Sequence, residues 1–297
     1  MFPVSSQEGA GFFSLHKVNH CHYRYLNIMS DTPPSTPEQP ENQPENLSVE
    51  EFTKVESIFV RHRNVLLVRA QFTPIYTDYY LHLMEQKLRH KEELDQKLKD
   101  LMAVLTLHLV ARPWAETIAW TINLRAPRVN LFATGSSLFE NITGHLFTEN
   151  VKEPDRNVLY SQTLIKNTEG RKSHIELETE DPLQWVETYY MQSEQRPARV
   201  FRLDDENFAL LAAQPDADTE WLESLTAEDV AKITETEQTK VLETRKFRFH
   251  CGCSPEKIIP ALRSWKDRKD ELFQGDPFVE ATCPRCGAKH LITPDML

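Results

Sequence analysis

The chain has 297 residues, a formal net charge of −11 at pH 7 and 27% charged residues. Its length accommodates one domain of ordinary size and a smaller one. The negative charge opposes a phosphate backbone, so nucleic acid is not expected as a partner. No apolar run of about eighteen residues occurs, so no membrane-spanning helix is predicted and no membrane partner is expected.

The first fifty residues do not resemble a folded domain. Five prolines lie between Asp31 and Asn46 among Glu, Gln, Ser and Asn, so residues 1–50 are predicted to be a disordered tail. The triplet His20-Cys21-His22 resembles a metal site, but we assign it no ligand role in such a tail. We expect Met29 to be an alternative start, and an intact native protein that retains Cys21 would contradict this.

Residues 51–214 are predicted to form one α+β domain, in which a mostly antiparallel sheet packs against helices. A long strand is predicted over residues 58–72, with a bulge near Asn64. Thr73 is predicted to be an N-cap and Pro74 a first-turn proline, and together they open the first of two helices. Farther along, apolar and polar residues alternate, which indicates further strands. The alternating apolar positions are Ile118, Trp120, Ile122 and Leu124.

Residues 215–246, hereafter the linker, are predicted to be an acidic, metastable connection. Between Glu180 and Lys240 there are fifteen Asp and Glu residues against five Lys and Arg residues. A short apolar stripe is expected to dock the linker on the sheet; its members are Trp221, Leu222, Leu225 and Val230. The conformational entropy lost on ordering the linker nearly cancels the free energy gained by burying this stripe. We therefore expect low hydrogen-exchange protection over residues 227–242.

Four of the five cysteines lie in residues 247–297, hereafter the C-terminal module. Cys251-Gly252-Cys253 and Cys283-Pro284-Arg285-Cys286 are close pairs that turns can direct at one point, and four thiolates satisfy a tetrahedral zinc ion. A module of about fifty residues rarely stabilises itself with its own core, so the metal is expected to hold it folded. One Zn²⁺ per chain is therefore predicted.

Two histidines, His250 and His290, flank these cysteines and are alternative ligands. Because four thiolates already complete the coordination shell, both are interpreted as exposed neighbours. Cysteines that hold a metal as thiols also indicate a reducing compartment, so a cytoplasmic location is expected.

The C-terminal module resembles the zinc domain of the bacterial 33-kDa chaperonin family, the redox-regulated holdases. The resemblance lies in the strand over residues 247–249, the Cys251-Gly252-Cys253-Ser254 turn, the helix that follows, and Cys283-Pro284-Arg285-Cys286-Gly287. A second match is Tyr189-Tyr190-Met191-Gln192-Ser193-Glu194-Gln195. The chain departs from the family at Arg125-Ala126-Pro127-Arg128, where relatives have a glycine-rich turn, and its linker is shorter.

The resemblance implies an ATP-independent chaperone that binds unfolding client proteins once its zinc centre is oxidised. It implies disulfides Cys251–Cys253 and Cys283–Cys286 in the oxidised form, loss of the metal, and a homodimer. The sequence contains no catalytic constellation, so the chain is not expected to be an enzyme. The alternative hypothesis is a redox-inert zinc-binding interaction protein with the same fold. A third, a zinc-ribbon nucleic-acid binder, is disfavoured by the charge.

Overall fold

A computed structural model describes residues 15–16, 52–112, 116–165 and 169–297. The strands are β1 (Leu15–His16), β2 (Thr53–Val60), β3 (Val65–Gln71), β4 (Glu116–Leu124), β5 (Val129–Ser136), β6 (Asn141–Phe147), β7 (Val158–Ile165), β8 (Arg171–Glu176), β9 (Ala198–Arg202), β10 (Asn207–Ala213), β11 (Thr239–Phe249), β12 (Val279–Thr282) and β13 (Lys289–Ile292). The α-helices are α1 (Thr73–Glu85), α2 (Glu92–Val110), α3 (Pro182–Tyr189), α4 (Thr219–Ser224), α5 (Ala227–Ala231), α6 (Ile233–Thr236), α7 (Pro255–Ile258) and α8 (Lys269–Phe273). A π-helix spans Tyr190–Glu194, and 3₁₀ helices span Ile259–Arg268 and Pro294–Met296.

Ten of these strands form one sheet in the order β8-β7-β4-β5-β6-β11-β2-β3-β10-β9. Neighbouring strands are antiparallel, except that β11 pairs in parallel with β6 at Arg248 and Phe249. Helices α1, α2 and α3 supply buried residues to the main core, which confirms the predicted α+β class with a mostly antiparallel sheet. No helix in the described part of the chain is long and apolar enough to cross a membrane.

Strands β3 and β10 are buried on both faces because helices cover each side of this half of the sheet. Phe208, Leu210 and Ala212 of β10 point into the main core with α1, α2 and α3. The alternate residues Ala209 and Leu211 join a second apolar cluster on the opposite face, together with α4, α5 and α6. Since side chains alternate along a strand, the linker helices lie on the face away from the main core.

The linker does not remain irregular up to the C-terminal module. Strand β11 begins at Thr239 and pairs with β2 from Thr239↔Val60 to Phe247↔Thr53, with a bulge between Val241 and Glu243. A continuous strand therefore crosses the predicted boundary between residues 246 and 247. Residues 239–242, which we expected to exchange rapidly, lie in this strand. The division of the chain into domains remains a prediction.

Two other expectations for the large domain were wrong in detail. Residues 58–72 are not one strand with a bulge: β2 and β3 form a hairpin through a turn at residues 61–64, with positive φ at His62 and Asn64. The N-cap of α1 is Phe72 rather than Thr73, and it makes no side-chain capping hydrogen bond.

Strands β12 and β13 of the C-terminal module form a small sheet with β1, in the order β1-β12-β13. A separate apolar cluster of Ile258, Leu262, Phe273, Ala281 and Ile292 packs beside this sheet. Within the predicted tail, residues 15–16 form β1, which pairs with β12. The remaining tail predictions, including His20-Cys21-His22 and Met29, lie outside the described residues.

Candidate metal centre

The first pair of cysteines lies where β11 ends. After Phe249 the chain turns through Gly252, whose φ of +63° is a conformation that side-chain-bearing residues rarely adopt. Lys257 donates a hydrogen bond to the Gly252 carbonyl. Cys251 and Cys253 are half-buried on either side of this glycine. We call this turn the first knuckle.

The second pair lies in the loop between β12 and β13, the second knuckle. The Cys283 amide donates to the Ala288 carbonyl at 2.7 Å, and the Gly287 amide donates to the Cys283 carbonyl at 2.9 Å. Gly287 has φ +75°, and a Cβ at this position would lie 2.6 Å from Cε1 of His145. Glycine is therefore required both by its backbone conformation and by the close approach of His145, which belongs to residues 51–214, hereafter the sheet domain.

The two knuckles bring all four predicted ligands together. The Sγ atoms of Cys251, Cys253, Cys283 and Cys286 lie within 4.8 Å of one another. The Cys251–Cys283 and Cys253–Cys286 sulfur distances are 3.8 Å and 3.5 Å. Zinc–sulfur bonds of about 2.3 Å in a tetrahedron separate neighbouring sulfurs by about 3.8 Å. The cluster is therefore the right size to hold a metal ion.

The electrostatics of the cluster also fit a bound cation. Hydrogen bonds from Cys251, Cys253 and Cys286 hold the pKa of the Cys283 thiol below its usual range. Contacts with Cys251, Cys253 and Cys283 raise the pKa of Cys286. Contact with Cys253 lowers the pKa of Cys251, and contact with Cys251 raises that of Cys253, so two of the four thiols release a proton readily and two retain one. Four thiolates at these distances require a divalent cation to offset their repulsion.

Neither flanking histidine belongs to the metal-binding cluster of the described residues, which consists of cysteines. His250 is exposed, as expected. His290 is half-buried, and its Nε2 lies 3.2 Å from Cys253 Sγ. A ring N–H at this distance donates to the sulfur, so His290 is a hydrogen-bonding neighbour of a candidate ligand.

The sheet domain contacts the second knuckle directly, and the sequence analysis missed these contacts. His82 Nε2, on α1, lies 2.8 Å from the Cys286 carbonyl oxygen. Gln86 Oε1, at the end of the same helix, accepts from the Lys289 amide at 2.9 Å. Burial, reinforced by nearby His90, lowers the pKa of His145, beside Gly287, to about 4. His145 is therefore neutral at pH 7 against the knuckle.

The predicted stripe of the linker is largely buried against the sheet. Leu222, Leu225 and Val230 belong to the second apolar cluster, and Trp221 packs against it while partly exposed. Ile233, a fully buried member that the sequence analysis missed, adds a fifth apolar contact from α6. Whether this docking regulates the protein remains a prediction.

Comparisons with known proteins point to one family. The family model described as Hsp33 protein matches residues 202–293, which contain β10, the linker and both knuckles. A 33 kDa chaperonin of Lactobacillus delbrueckii subsp. bulgaricus is 32% identical over 84 residues, 28% of this chain and 29% of that protein. The 33 kDa chaperonin of Pectobacterium carotovorum subsp. carotovorum is 28% identical over 161 residues, 44% of this chain and 55% of that protein. The chain thus spans 29% and 55% of the lengths of these relatives.

A solved structure extends the likeness to the rest of the fold. The crystal structure of the 33 kDa chaperonin from Thermotoga maritima matches with a TM-score of 0.62, covering 83% of this chain and 96% of that one. The identity is 13%, so this match shows a shared fold. Together the comparisons confirm the resemblance drawn from the cysteine turns.

Proposed function

We propose that this chain, a divergent member of the Hsp33 family, is a redox-regulated, ATP-independent chaperone that binds unfolding proteins and prevents their aggregation. The observation that carries the proposal is the convergence of four sulfurs, from Cys251, Cys253, Cys283 and Cys286, on one point. A site built of thiolates alone is both a zinc site and a set of oxidisable groups. On this proposal the chain is cytoplasmic and not an enzyme.

The four cysteines serve as the redox sensor. Zn²⁺ bound there would tie the two knuckles together and keep the sulfurs as thiolates. A hydrogen peroxide molecule transfers one oxygen to a thiolate, which becomes a sulfenic acid, and its other oxygen leaves as hydroxide. A second thiolate then attacks the sulfenic sulfur, forms the disulfide and expels another hydroxide. Two peroxides thus take up four electrons as four thiolates become two disulfides. By the resemblance, the disulfides are Cys251–Cys253 and Cys283–Cys286.

Disulfide formation must rearrange the knuckles. A disulfide has a sulfur–sulfur bond of about 2.05 Å, whereas tetrahedral zinc coordination keeps neighbouring sulfurs about 3.8 Å apart, so the two sulfurs of one knuckle cannot form a disulfide and remain at the metal. Sulfurs in disulfides are no longer thiolate ligands, so the module loses the cation that stabilises it. His82 and Gln86 then lose their partners on the second knuckle, and β11 is the direct covalent route from the first knuckle to the linker.

Release of the linker supplies the client-binding surface in this proposal. The second apolar cluster would be exposed when α4, α5 and α6 leave the sheet, offering Ile58, Leu67 and Leu211 to unfolding chains. Oxidised chains would associate as homodimers, as the resemblance implies. Affinity for clients then comes from apolar burial, which needs no nucleotide.

One experiment tests sensor and activity together. Reduced and peroxide-treated protein are added to a thermally unfolding test enzyme; light scattering reports aggregation, and a chromogenic chelator reports released zinc. We expect suppression only by the oxidised protein, in step with release of one zinc per chain. Cys21→Ser is the matched control and should behave like the wild type. Equal suppression by reduced protein would refute the switch, and no suppression by either form would refute the holdase.

The second candidate is a redox-inert zinc-binding interaction protein with this fold. It is favoured by how firmly the linker is held: Leu222 and Val230 are essentially inaccessible to solvent, and β11 continues the sheet. If this candidate is right, the linker stays on the sheet after peroxide treatment. The same experiment then shows no suppression of aggregation by either the reduced or the peroxide-treated protein.

A further inference from the structure

The turn between β2 and β3, residues 61–64, contacts both ends of the helical part of the linker, residues 215–238. At the entry, the Gln214 amide donates to the Asn64 carbonyl, and the Asp218 amide donates to the Arg63 carbonyl, each at 2.9 Å. At the exit, the Arg61 amide donates to the Gln238 carbonyl at 2.8 Å. Residues 214 and 238 are therefore held at one place, and the helices between them form a closed loop.

The Arg63 side chain joins the two ends. Its Nη1 lies 2.7 Å from Asp218 Oδ2, at the entry, and its Nη2 lies 3.1 Å from Glu237 Oε1, at the exit. The guanidinium carbon lies 5.1 Å from the centre of the Trp221 ring. Asp218 is also the N-cap of α4 and accepts a hydrogen bond from the Trp221 amide at 3.0 Å. The Arg63 guanidinium thus contacts the N-cap of α4, the Trp221 ring beside it, and Glu237 at the other end of the linker helices.

We propose that Arg63 is the positioning residue that holds the linker on the sheet and sets how readily it is released. The inference rests on the proposed function for its consequence, because linker release exposes the client surface. Its structural content is separate: Arg63 controls the local opening of residues 219–236 in the reduced protein.

Charge explains why one arginine has this effect. The linker is acidic, and Arg63 brings the carboxylates of Asp218 and Glu237 to adjacent nitrogens of one guanidinium. Without the cation, these two carboxylates face each other across a few ångströms and repel. These carboxylates lie at the two ends of the helical segment, and they move apart when the segment leaves the sheet. Removal of the Arg63 cation therefore favours release of the linker.

The chain offers a matched control on the same hairpin. Arg69, on β3, pairs with Glu56 at 3.0 Å, and its side chain is 32% exposed against 33% for Arg63. The ion pair of Arg69 is with Glu56 of β2, whereas the ion pairs of Arg63 are with Asp218 and Glu237 of the linker. Arg63→Ala and Arg69→Ala therefore each remove one half-exposed ion-pairing arginine from the same hairpin, and only the first removes ion pairs with the linker.

Hydrogen exchange of the reduced, zinc-loaded protein tests the inference. We expect Arg63→Ala to speed exchange over residues 219–236 by roughly five- to thirty-fold, as the loss of two half-exposed ion pairs and a cation–π contact implies. Exchange in β4 and β5 and the zinc content should stay at wild-type values, and Arg69→Ala should leave the linker unchanged. Unchanged linker exchange in Arg63→Ala would overturn the inference.

Salt and a conservative variant separate a charge effect from a general loss of packing. At about 1 M salt, where screening acts over roughly 3 Å, linker exchange should rise in the wild type and little in Arg63→Ala. Arg63→Lys should recover part of the protection, since it restores the charge but not the two-pronged geometry. Equal salt responses in both proteins would contradict the assigned role.

Chaperone assays then report on the consequence. Arg63→Ala should reach half-maximal suppression of aggregation at a lower peroxide dose than wild type or Arg69→Ala. If oxidised wild type shows no chaperone activity, the proposed function fails while the exchange result stands. If the wild type is active and Arg63→Ala needs the same dose, the regulatory role of Arg63 fails alone.

Discussion

The Nε2 atom of His82 lies 2.8 Å from the carbonyl oxygen of Cys286. A carbonyl can only accept, so the ring nitrogen donates, and helix α1 of the sheet domain is hydrogen-bonded to the backbone of a candidate metal ligand. The contact joins residues 204 positions apart in sequence. The second knuckle is therefore hydrogen-bonded to a helix of the main core.

The first prediction concerns this contact. His82→Ala should leave zinc bound but weaken docking of the second knuckle by about 1 kcal/mol, the usual contribution of one hydrogen bond. Hydrogen exchange over residues 283–289 should accelerate accordingly in the reduced protein. Glu85→Ala, an exposed change on the same helix, is the control. Exchange rates at the knuckle that match the control would show that the contact does not contribute to docking.

The second prediction identifies the ligands. Cys283→Ser should lose most of the zinc that the wild type binds at one ion per chain, because three thiolates leave the tetrahedron incomplete. Residues 250–297 should then unfold, since the metal supplies most of the stability of so small a module. Residues 239–247 should remain protected by their pairing with β2.

Atomic absorption and hydrogen exchange measure these two outcomes, with Cys21→Ser as the control that keeps the metal. A Cys283→Ser protein with full zinc occupancy and a protected module would exclude this ligand set.

The third prediction is a pH dependence from a buried histidine of the main core. His108 Nδ1 lies 2.9 Å from the Tyr190 hydroxyl, and its ring stacks on Trp120 with centroids 5.1 Å apart. Burial, reinforced by Arg112, holds the pKa of His108 well below its usual value. As pH falls below the unfolded value of about 6.5, the unfolded chain takes up a proton that the native state does not, so stability decreases.

The expected loss from His108 is about 1.4 kcal/mol on going from pH 7.5 to pH 5.5. Urea unfolding at both pH values should show a pH dependence smaller by that amount in His108→Gln. His174→Gln, on the exposed edge strand β8, is the control and should keep the wild-type dependence. A His108→Gln protein with the full wild-type dependence would disprove this assignment.

The clustering of the four cysteines could be predicted from sequence because its signal is local. Each cysteine pair lies within one turn, and Gly252 and Gly287 mark the positive φ values those turns require. The contacts of the module with the sheet domain could not be predicted in this way. His82 and Gln86 lie on an ordinary helical stretch, and only the folded chain brings them to the second knuckle.

The hairpin at residues 61–64 shows why a turn was missed. Its sequence, Arg61-His62-Arg63-Asn64, lacks both glycine and proline, the strongest turn signals. The signal present was Asn64, which tolerates positive φ, but it was interpreted as a bulge. The linker shows the opposite case, because its apolar stripe was visible from spacing. The strand over residues 247–249 was also predicted, but its first part, residues 239–246, was missed because exposed Val241 and Leu242 interrupt the alternation.

The last prediction concerns Trp221, whose ring packs on the second apolar cluster beneath the Arg63 guanidinium. Trp221→Ala removes part of this packing and a cation–π contact, which together contribute about 2 kcal/mol at a partly exposed site. A linker poised within a few kcal/mol of release should then open substantially while zinc is still bound. We expect suppression of aggregation by the reduced variant.

Leu291→Ala, an exposed change in β13 of the C-terminal module, is the control and should need oxidation as the wild type does. Hydrogen exchange supplies the second readout: residues 219–238 should exchange faster in Trp221→Ala, while residues 239–247 stay protected by β2. Val230 and Ile233, which are buried in the wild type, should oppose release in the variant. If reduced Trp221→Ala stays inactive and its linker exchanges slowly, these two residues hold the linker without Trp221, and the linker is not the poised element.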